Sequence, residues 1–147
     1  MFSGQHKNVL HHCDFIKSVN KNIPIVLGGV HPSQTPEESL ASDSVDYIII
    51  GEGEYRFLNL LSALNQGKEP DFDGIAYKKH GEIIVKPWKT RIENLDDLPL
   101  PARDLIDMKK YIKIGIPNSP FTKEERAEQV ITSRGCQFNC IFCSGSQ

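Results

Sequence analysis

Apolar residues in the first half of the chain follow two spacings, one typical of helices and one typical of buried strands. Residues 5–20 carry apolar side chains at helical spacing, which predicts an amphipathic helix. The short apolar runs 23–27 and 45–50 predict strands covered on both faces. Residues 36–40 and the apolar stripe over 57–64 predict two further helices. This order predicts an α/β fold built on a flavodoxin-like (Rossmann-like) parallel sheet.

The middle of the chain has a different pattern. Residues 73–78 and 82–85 flank a short glycine-containing turn, which predicts a β-hairpin. Pro99 and Pro101 favour extended backbone before them, so this region is interpreted as a stiff connector. After a charged loop, residues 129–132 predict the first strand of another domain. We therefore expect three segments: a partial Rossmann-like domain at 1–68, a hairpin and proline-rich connector at 69–128, and the start of a further domain at 129–147.

Composition excludes some classes of function. The 147 residues contain 17 Lys and Arg against 19 Asp and Glu, a formal net charge of −2. This balance gives no basic surface for nucleic acid, so small-molecule partners are expected. The N-terminus lacks the apolar core of a signal peptide, and no apolar run approaches the ~18 residues of a membrane span. These features predict a cytoplasmic protein in which thiols stay reduced.

Three of the four cysteines lie within eight residues near the end of the chain. Cys136, Cys140 and Cys143 have the spacing C-x-x-x-C-x-x-C. Thiolates this close on one loop can reach three corners of an iron–sulfur cube, which leaves one iron open. Tetrahedral zinc would need a fourth ligand that no neighbouring Cys or His supplies. The spacing alone leaves two alternatives open, namely three structural cysteines or an incomplete zinc site.

The residues around these cysteines resemble the cluster loop of radical S-adenosylmethionine (SAM) enzymes. Ser133-Arg134-Gly135 precede the first cysteine, and the aromatic Phe142 precedes the last. The resemblance implies that Cys136, Cys140 and Cys143 hold a 4Fe-4S cluster whose open iron binds the amino and carboxylate groups of SAM. It also implies that Phe142 lies near the adenine. In that family an external donor such as flavodoxin or ferredoxin supplies the electron, and SAM is cleaved reductively to a 5′-deoxyadenosyl radical.

Upstream segments resemble the cobalamin-binding domain that precedes many radical SAM barrels. The similar segments are 25–33, which contains a Gly-Gly pair, then 45–47 and the Gly-Glu-Gly-Glu run at 51–54. Residues 95–105 resemble the connector of the same proteins. The resemblance therefore extends over almost the entire chain, and it implies a partial cobalamin domain followed by the first strand and cluster loop of a (β/α) barrel.

Several residues near the Gly-Gly pair are candidates for cobalamin contacts. The resemblance implies that Gly28 and Gly29 flank the nucleotide tail of cobalamin and that Ser3 lies near that tail. Glycine at a strand-to-helix turn is also ordinary turn chemistry. The Asp-x-His-x-x-Gly run of histidine-ligated cobalamin domains is absent from the sequence. His31 follows the Gly-Gly pair and does not lie in such a run, so it is not expected to be a ligand of the cobalt in cobalamin.

The resemblance implies an enzyme whose substrate is a small molecule. The leading expectation is a cobalamin-dependent radical SAM enzyme that transfers a methyl group to an unactivated carbon or phosphorus centre. The alternatives are an oxidative cyclase of the anaerobic magnesium-protoporphyrin ester type and a truncated cofactor-binding module without activity. We expect the chain to begin inside its first domain and to end one strand and one loop into the barrel, so that the chain alone is inactive.

Two other groups of polar residues have simpler explanations. His11, His12 and Cys13 are neighbours, but consecutive residues on a helix point in different directions, and Cys13 falls on the apolar stripe. Core packing is therefore expected for Cys13. Glu52 and Glu54 resemble a pair of catalytic carboxylates, yet their position at a helix start favours capping and interaction with the helix dipole.

Overall fold

The structure is a computed structural model. It describes residues 1–114, 131, 133–136, 138, 140, 141 and 143. The chain divides into two compact units, residues 1–95 and residues 96–147, and each is described by itself.

The first unit alternates helices and strands in the order that the sequence predicts. A single 3-10 turn, Ser3–Gln5, precedes the first helix. The elements that follow are α1 (His6–Val19), β1 (Val26–Gly28), α2 (Val30–Gln34), α3 (Pro36–Leu40), β2 (Tyr47–Ile49), α4 (Glu54–Asn65), β3 (Ile75–Lys79) and β4 (Glu82–Lys86). This arrangement confirms the predicted α/β class and is consistent with a partial flavodoxin-like fold.

The four strands form one sheet in the order β1-β2-β3-β4. β1 and β2 are parallel, and Val26 lies opposite Tyr47. The predicted hairpin extends the same sheet, because β3 pairs antiparallel with β2 as well as with β4. His80 and Gly81 form the two-residue turn with φ values of 51° and 84°, as a type I′ hairpin turn requires. The sheet is therefore mixed, with its parallel part at the β1 end.

The core consists of two clusters of buried side chains. Neighbouring residues of a strand point to opposite faces of a sheet. Ile48 accordingly joins one cluster with Cys13 and Leu40, whereas Ile49 joins the other with Leu60. Cys13 is only 3% exposed, which confirms its predicted role in the core.

The predicted apolar stripe of α4 is only partly buried. Leu60 is buried and Leu64 half-buried, but Phe57, Leu58 and Leu61 are 44%, 62% and 46% exposed. Phe57 reaches towards β1, and β1 is the edge of the sheet among the described residues. The sheet therefore offers little surface beyond β1 against which these side chains could pack.

The second unit contains a 3-10 turn at Arg103–Leu105 and the helix α5 (Met108–Ile114). The predicted barrel strand at 129–132 lies outside the described residues except for Ile131. No helix in the described part of the chain is long and apolar enough to cross a membrane.

Candidate functional site

A cleft of about 390 Å³ lies at the carboxyl ends of the parallel strands β1 and β2. Four glycines and apolar residues of β1, β2 and α4 form most of its walls, and the charged residue Glu54 also lines it. The glycines are Gly28, Gly29, Gly51 and Gly53, and the apolar residues are Val26, Leu27, Ile49 and Phe57. This edge of a parallel sheet is where open α/β folds bind ligands.

Gly28 and Gly29 both border the cleft but have different structural requirements. A Cβ atom on Gly28 would have the Ile49 carbonyl oxygen, at 3.8 Å, as its nearest neighbour. The backbone conformation of Gly28 would therefore accept another residue, but the lack of a side chain leaves space free in the cleft. Gly29 has a φ of 98°, and a Cβ there would lie 2.2 Å from the Met1 nitrogen. Gly29 is therefore needed for the turn itself.

The first residues of the chain lie against this Gly-Gly turn. The Met1 amino group donates a hydrogen bond to the Gly28 carbonyl at 2.8 Å, and the His31 backbone N–H donates to the Met1 carbonyl at 3.1 Å. The Ser3 hydroxyl lies 3.2 Å from Nδ1 of the His31 ring. The structure thus brings the candidate residue Ser3 into the same region as Gly28 and Gly29.

The Gly51–Glu54 loop, whose contacts the sequence left unassigned, is held from two sides. The Gly51 N–H donates to the Ser33 hydroxyl at 3.0 Å, which joins the loop to α2. Gly51 has a φ of 77°, and a Cβ there would lie 2.5 Å from Cδ2 of the Trp88 ring. Glu52 accepts a hydrogen bond from the Ile92 N–H at 2.7 Å. The capping role expected for Glu52 is therefore wrong, because its carboxylate contacts a distant segment, whereas Glu54 does lie in the first turn of α4.

A buried arginine on α4 fixes the end of this loop. Arg56 is 6% exposed. Its Nη1 donates to the Glu52 carbonyl at 3.0 Å, and its Nε donates to the Asp73 carbonyl at 2.9 Å. Its Nη2 donates to the Asp73 carboxylate at 2.8 Å and to the Thr90 carbonyl at 2.7 Å. One guanidinium therefore links α4, the loop before β3 and the segment after β4.

The Asp73 carboxylate is stabilised in its ionised form. Burial by itself raises the pKa of Asp73, but hydrogen bonds from the Thr90 and Lys89 N–H groups and from Arg56 outweigh it and hold that pKa well below its ordinary value. The Lys89 and Thr90 donors lie 2.7 and 2.9 Å from Oδ2. The sequence does not indicate this network, because Arg56 and Asp73 are 17 residues apart and no short motif joins them.

The three clustered cysteines lie on an exposed loop of the second unit. Cys136, Cys140 and Cys143 are all exposed, in contrast to the buried Cys13. The Cys143 N–H donates to the Cys140 carbonyl at 3.0 Å. Ligation of an iron–sulfur cluster by these three thiols stays a prediction. Phe142 lies outside the described residues.

The histidines beside Cys13 do not join it in a site. His11 and His12 are exposed, and the His12 Nδ1 contacts the Asn8 carbonyl of the preceding turn at 2.5 Å. Cys13 points into the core. The expected core packing of Cys13 is therefore confirmed.

Comparisons with known proteins give matches in both halves of the chain. Residues 1–61 match the family model described as B12 binding domain. The chain is 39% identical to an uncharacterized methyltransferase of Pyrococcus horikoshii, over 88% of this chain and 27% of that protein. It is 31% identical to the cytidylyl-2-hydroxyethylphosphonate methyltransferase of Streptomyces wedmorensis, over 98% of this chain and 31% of the relative.

A relative that is named as a cyclase is similar over nearly the same region. The anaerobic magnesium-protoporphyrin IX monomethyl ester cyclase of Rubrivivax gelatinosus is 35% identical over 87% of this chain and 23% of its own length. The chain thus spans less than a third of each of these three relatives. The matched B12 binding segment contains β1, β2 and most of α4, the elements that form the cleft.

Proposed function

We propose, on the premise that this chain is a relative of cobalamin-binding radical SAM proteins, that the protein to which it belongs is an enzyme that uses cobalamin and SAM to transfer a methyl group. The premise rests on the B12 binding match of residues 1–61 and on similarity to methyltransferases and cyclases. The observation that carries the proposal is the cleft at the carboxyl ends of β1 and β2, which lies within the matched residues.

In this proposal the cleft receives the nucleotide tail of cobalamin. A flat heterocycle suits a cleft whose walls are mostly apolar residues and glycine backbone with one acidic residue, Glu54, because no side chain at Gly28 occupies the space. Gly29 and Ser3 act differently: Gly29 lets the chain turn closely past Met1, and the Ser3 hydroxyl contacts the ring of His31. They shape the rim of the cleft and place polar groups beside it.

The three-cysteine loop is proposed to hold the second cofactor. Cys136, Cys140 and Cys143 would bind three irons of a 4Fe-4S cluster, and the remaining iron would accept the amino and carboxylate groups of SAM. Phe142 is proposed to contact the adenine. When bound and reduced by an external donor such as flavodoxin or ferredoxin, this cofactor pair supplies a 5′-deoxyadenosyl radical. The protein itself positions the reactants and excludes water.

A second candidate activity is oxidative cyclisation of a small-molecule substrate. It is favoured by the 35% identity to the cyclase of Rubrivivax gelatinosus. Both activities would use the same cleft and the same cysteines, so the choice depends on the substrate. A cofactor-binding module without turnover is the third possibility, and it predicts cobalamin binding with no cleavage of SAM. We place the protein in the cytoplasm, where thiols remain reduced.

The experiment that tests this function is anaerobic reconstitution, with iron and sulfide, of the protein to which this chain belongs. We expect about four iron and four sulfide ions per chain, visible absorbance that SAM perturbs, and release of 5′-deoxyadenosine after addition of a reductant. Substitution of Cys136, Cys140 or Cys143 by alanine should abolish all three signals. Cys13→Ala is the matched control, because it also removes a thiol but from the core. Stoichiometric zinc with no retained sulfide would contradict the proposal.

A further inference from the structure

Two histidines and a glutamate from three separate helices meet in the first unit. His6 is the first residue of α1, His31 lies on α2, and Glu38 lies on α3. One ring nitrogen of each histidine and a carboxylate oxygen of Glu38 all lie within 4.8 Å of one another. The fold, and not sequence adjacency, therefore brings these three groups together.

His6 has a buried nitrogen that lacks a hydrogen-bond partner. Its Nδ1 is inaccessible to solvent and pairs with no group among the described residues. The ring packs edge-on against His31, with centroids 4.4 Å apart and an interplanar angle of 64°. Buried polar atoms in native proteins are nearly always satisfied by protein, water or an ion, so this nitrogen indicates a missing partner. A metal ion would use the lone pair of a neutral imidazole directly.

The contacts of His31 suit a metal ligand. Its Nδ1 lies 3.2 Å from the Ser3 hydroxyl, and its Nε2 lies 3.5 Å from the Thr35 hydroxyl. Metal-bound histidines usually donate their other ring N–H to an oxygen, which fixes the ring. The His31 Nδ1–H can donate to the Ser3 hydroxyl and so fix the ring. The His31 Nε2 can then bind a metal in place of its longer contact with the Thr35 hydroxyl.

The donor set favours a divalent transition metal. Two imidazoles and a carboxylate are a common ligand set for Zn²⁺, with a remaining position for water. In a tetrahedral site with bonds of roughly 2.0–2.2 Å, donor atoms lie about 3.4 Å apart. The three donor atoms, which lie within 4.8 Å of one another, are therefore slightly farther apart than in a closed tetrahedral site. Glu38 is exposed and can close the site by a change of rotamer.

We propose that His6, His31 and Glu38 form a binding site for a divalent transition metal ion such as Zn²⁺. The ion ties α1 to α2 and α3. Because α2 begins directly after Gly29, the ion also stiffens the turn that borders the cleft. The proposal rests on residues of the first unit alone and does not depend on the proposed function.

The test is a Co²⁺ titration of protein without a histidine tag, in which alanine replaces the three cysteines of the exposed loop. This background removes the three exposed thiols, and the remaining Cys13 is buried. A visible ligand-field band therefore reports on the histidine site. We expect saturation near one Co²⁺ per chain and loss of the band when Zn²⁺ is added. His6→Gln and Glu38→Gln should each weaken Co²⁺ binding at least about tenfold. His12→Gln, an exposed position on the same helix as His6, should bind as tightly as the background protein.

Two results would overturn the proposal. One is the absence of a saturable Co²⁺ spectrum in the background protein. The other is equal Co²⁺ affinity in His6→Gln, Glu38→Gln and His12→Gln. Glu38→Gln keeps the test decisive if His6→Gln fails to fold, because Glu38 is exposed and its replacement leaves the core intact.

Discussion

Arg56 Nη2 lies 2.8 Å from Asp73 Oδ2, and this ion pair joins α4 to the loop that leads into β3. The same guanidinium donates to the Glu52 carbonyl, so it also fixes the loop that forms part of the cleft. Both side chains are largely buried, at 7% and 26% exposure. A pair this shielded from water differs from a surface salt bridge, because loss of one partner leaves a buried charge uncompensated.

Arg56→Met and Asp73→Asn should each destabilise the protein by about 3 kcal/mol, as the loss of one partner of a buried pair generally does. Urea unfolding followed by circular dichroism measures this change. Asp43→Asn is the control for Asp73→Asn, because the Asp43 carboxylate is fully exposed and lies 3.4 Å from Lys78. That variant should change the unfolding free energy by about 0.5 kcal/mol or less. Equal effects for Asp73→Asn and Asp43→Asn would contradict the structural role given to the Arg56–Asp73 pair.

The ion pair also predicts a pH dependence. The pKa of Asp73 is lower in the folded protein than the roughly 3.9 of an unfolded chain, so the unfolded state binds more protons as the pH falls. The contribution of Asp73 to stability is therefore complete above about pH 5 and decreases below about pH 4. The difference in unfolding free energy between the native protein and Asp73→Asn should therefore shrink as the pH falls from about 5 to about 3. A difference that stays constant from pH 5 to pH 3 would show that Asp73 is not held ionised.

Gly51→Ala should destabilise the protein more than Gly67→Ala does. Both glycines have positive φ values, 77° and 62°, so both variants lose about 1 kcal/mol from backbone strain. Only at Gly51 does the added carbon meet a ring, that of Trp88, and such overpacking adds about 1–3 kcal/mol. Trp88 is the only tryptophan of the chain, so its fluorescence reports directly on this contact. A red shift in Gly67→Ala and none in Gly51→Ala would contradict the packing described.

Periodicity and turn chemistry predicted much of the fold. The resemblance to cobalamin-binding radical SAM proteins is confirmed, as are the hairpin and the place of Cys13 in the core. These features depend on short stretches of sequence. The exposure of Phe57 depends instead on which strand lies at the sheet edge, and the pattern of α4 alone carries no such information.

The contacts around the candidate site were less predictable. Arg56 stands among apolar residues on α4, and its partners at Asp73 and Thr90 lie 17 and 34 residues away. The sequence contains no signal for such a pairing. The grouping of His6 with His31 likewise depends on how α1 packs beside α2. By contrast, Gly28 and Gly29 could be chosen from the sequence because a strand ending in two glycines is a local pattern.

The central claim, that the cleft beside Gly28 receives cobalamin, is tested most directly by equilibrium binding of cobalamin to Gly28→Val. A Cβ atom at Gly28, which lines the cleft, would have no neighbour closer than 3.8 Å, so we expect this variant to fold while its added methyl groups occupy the site. Ala41→Val is the matched control, because it enlarges an exposed residue that does not line the cleft. The account predicts that the native protein and Ala41→Val bind cobalamin alike, whereas Gly28→Val binds at least about tenfold more weakly, the effect of roughly 1.4 kcal/mol. Equal binding by all three proteins, or no binding by the native protein, would contradict it.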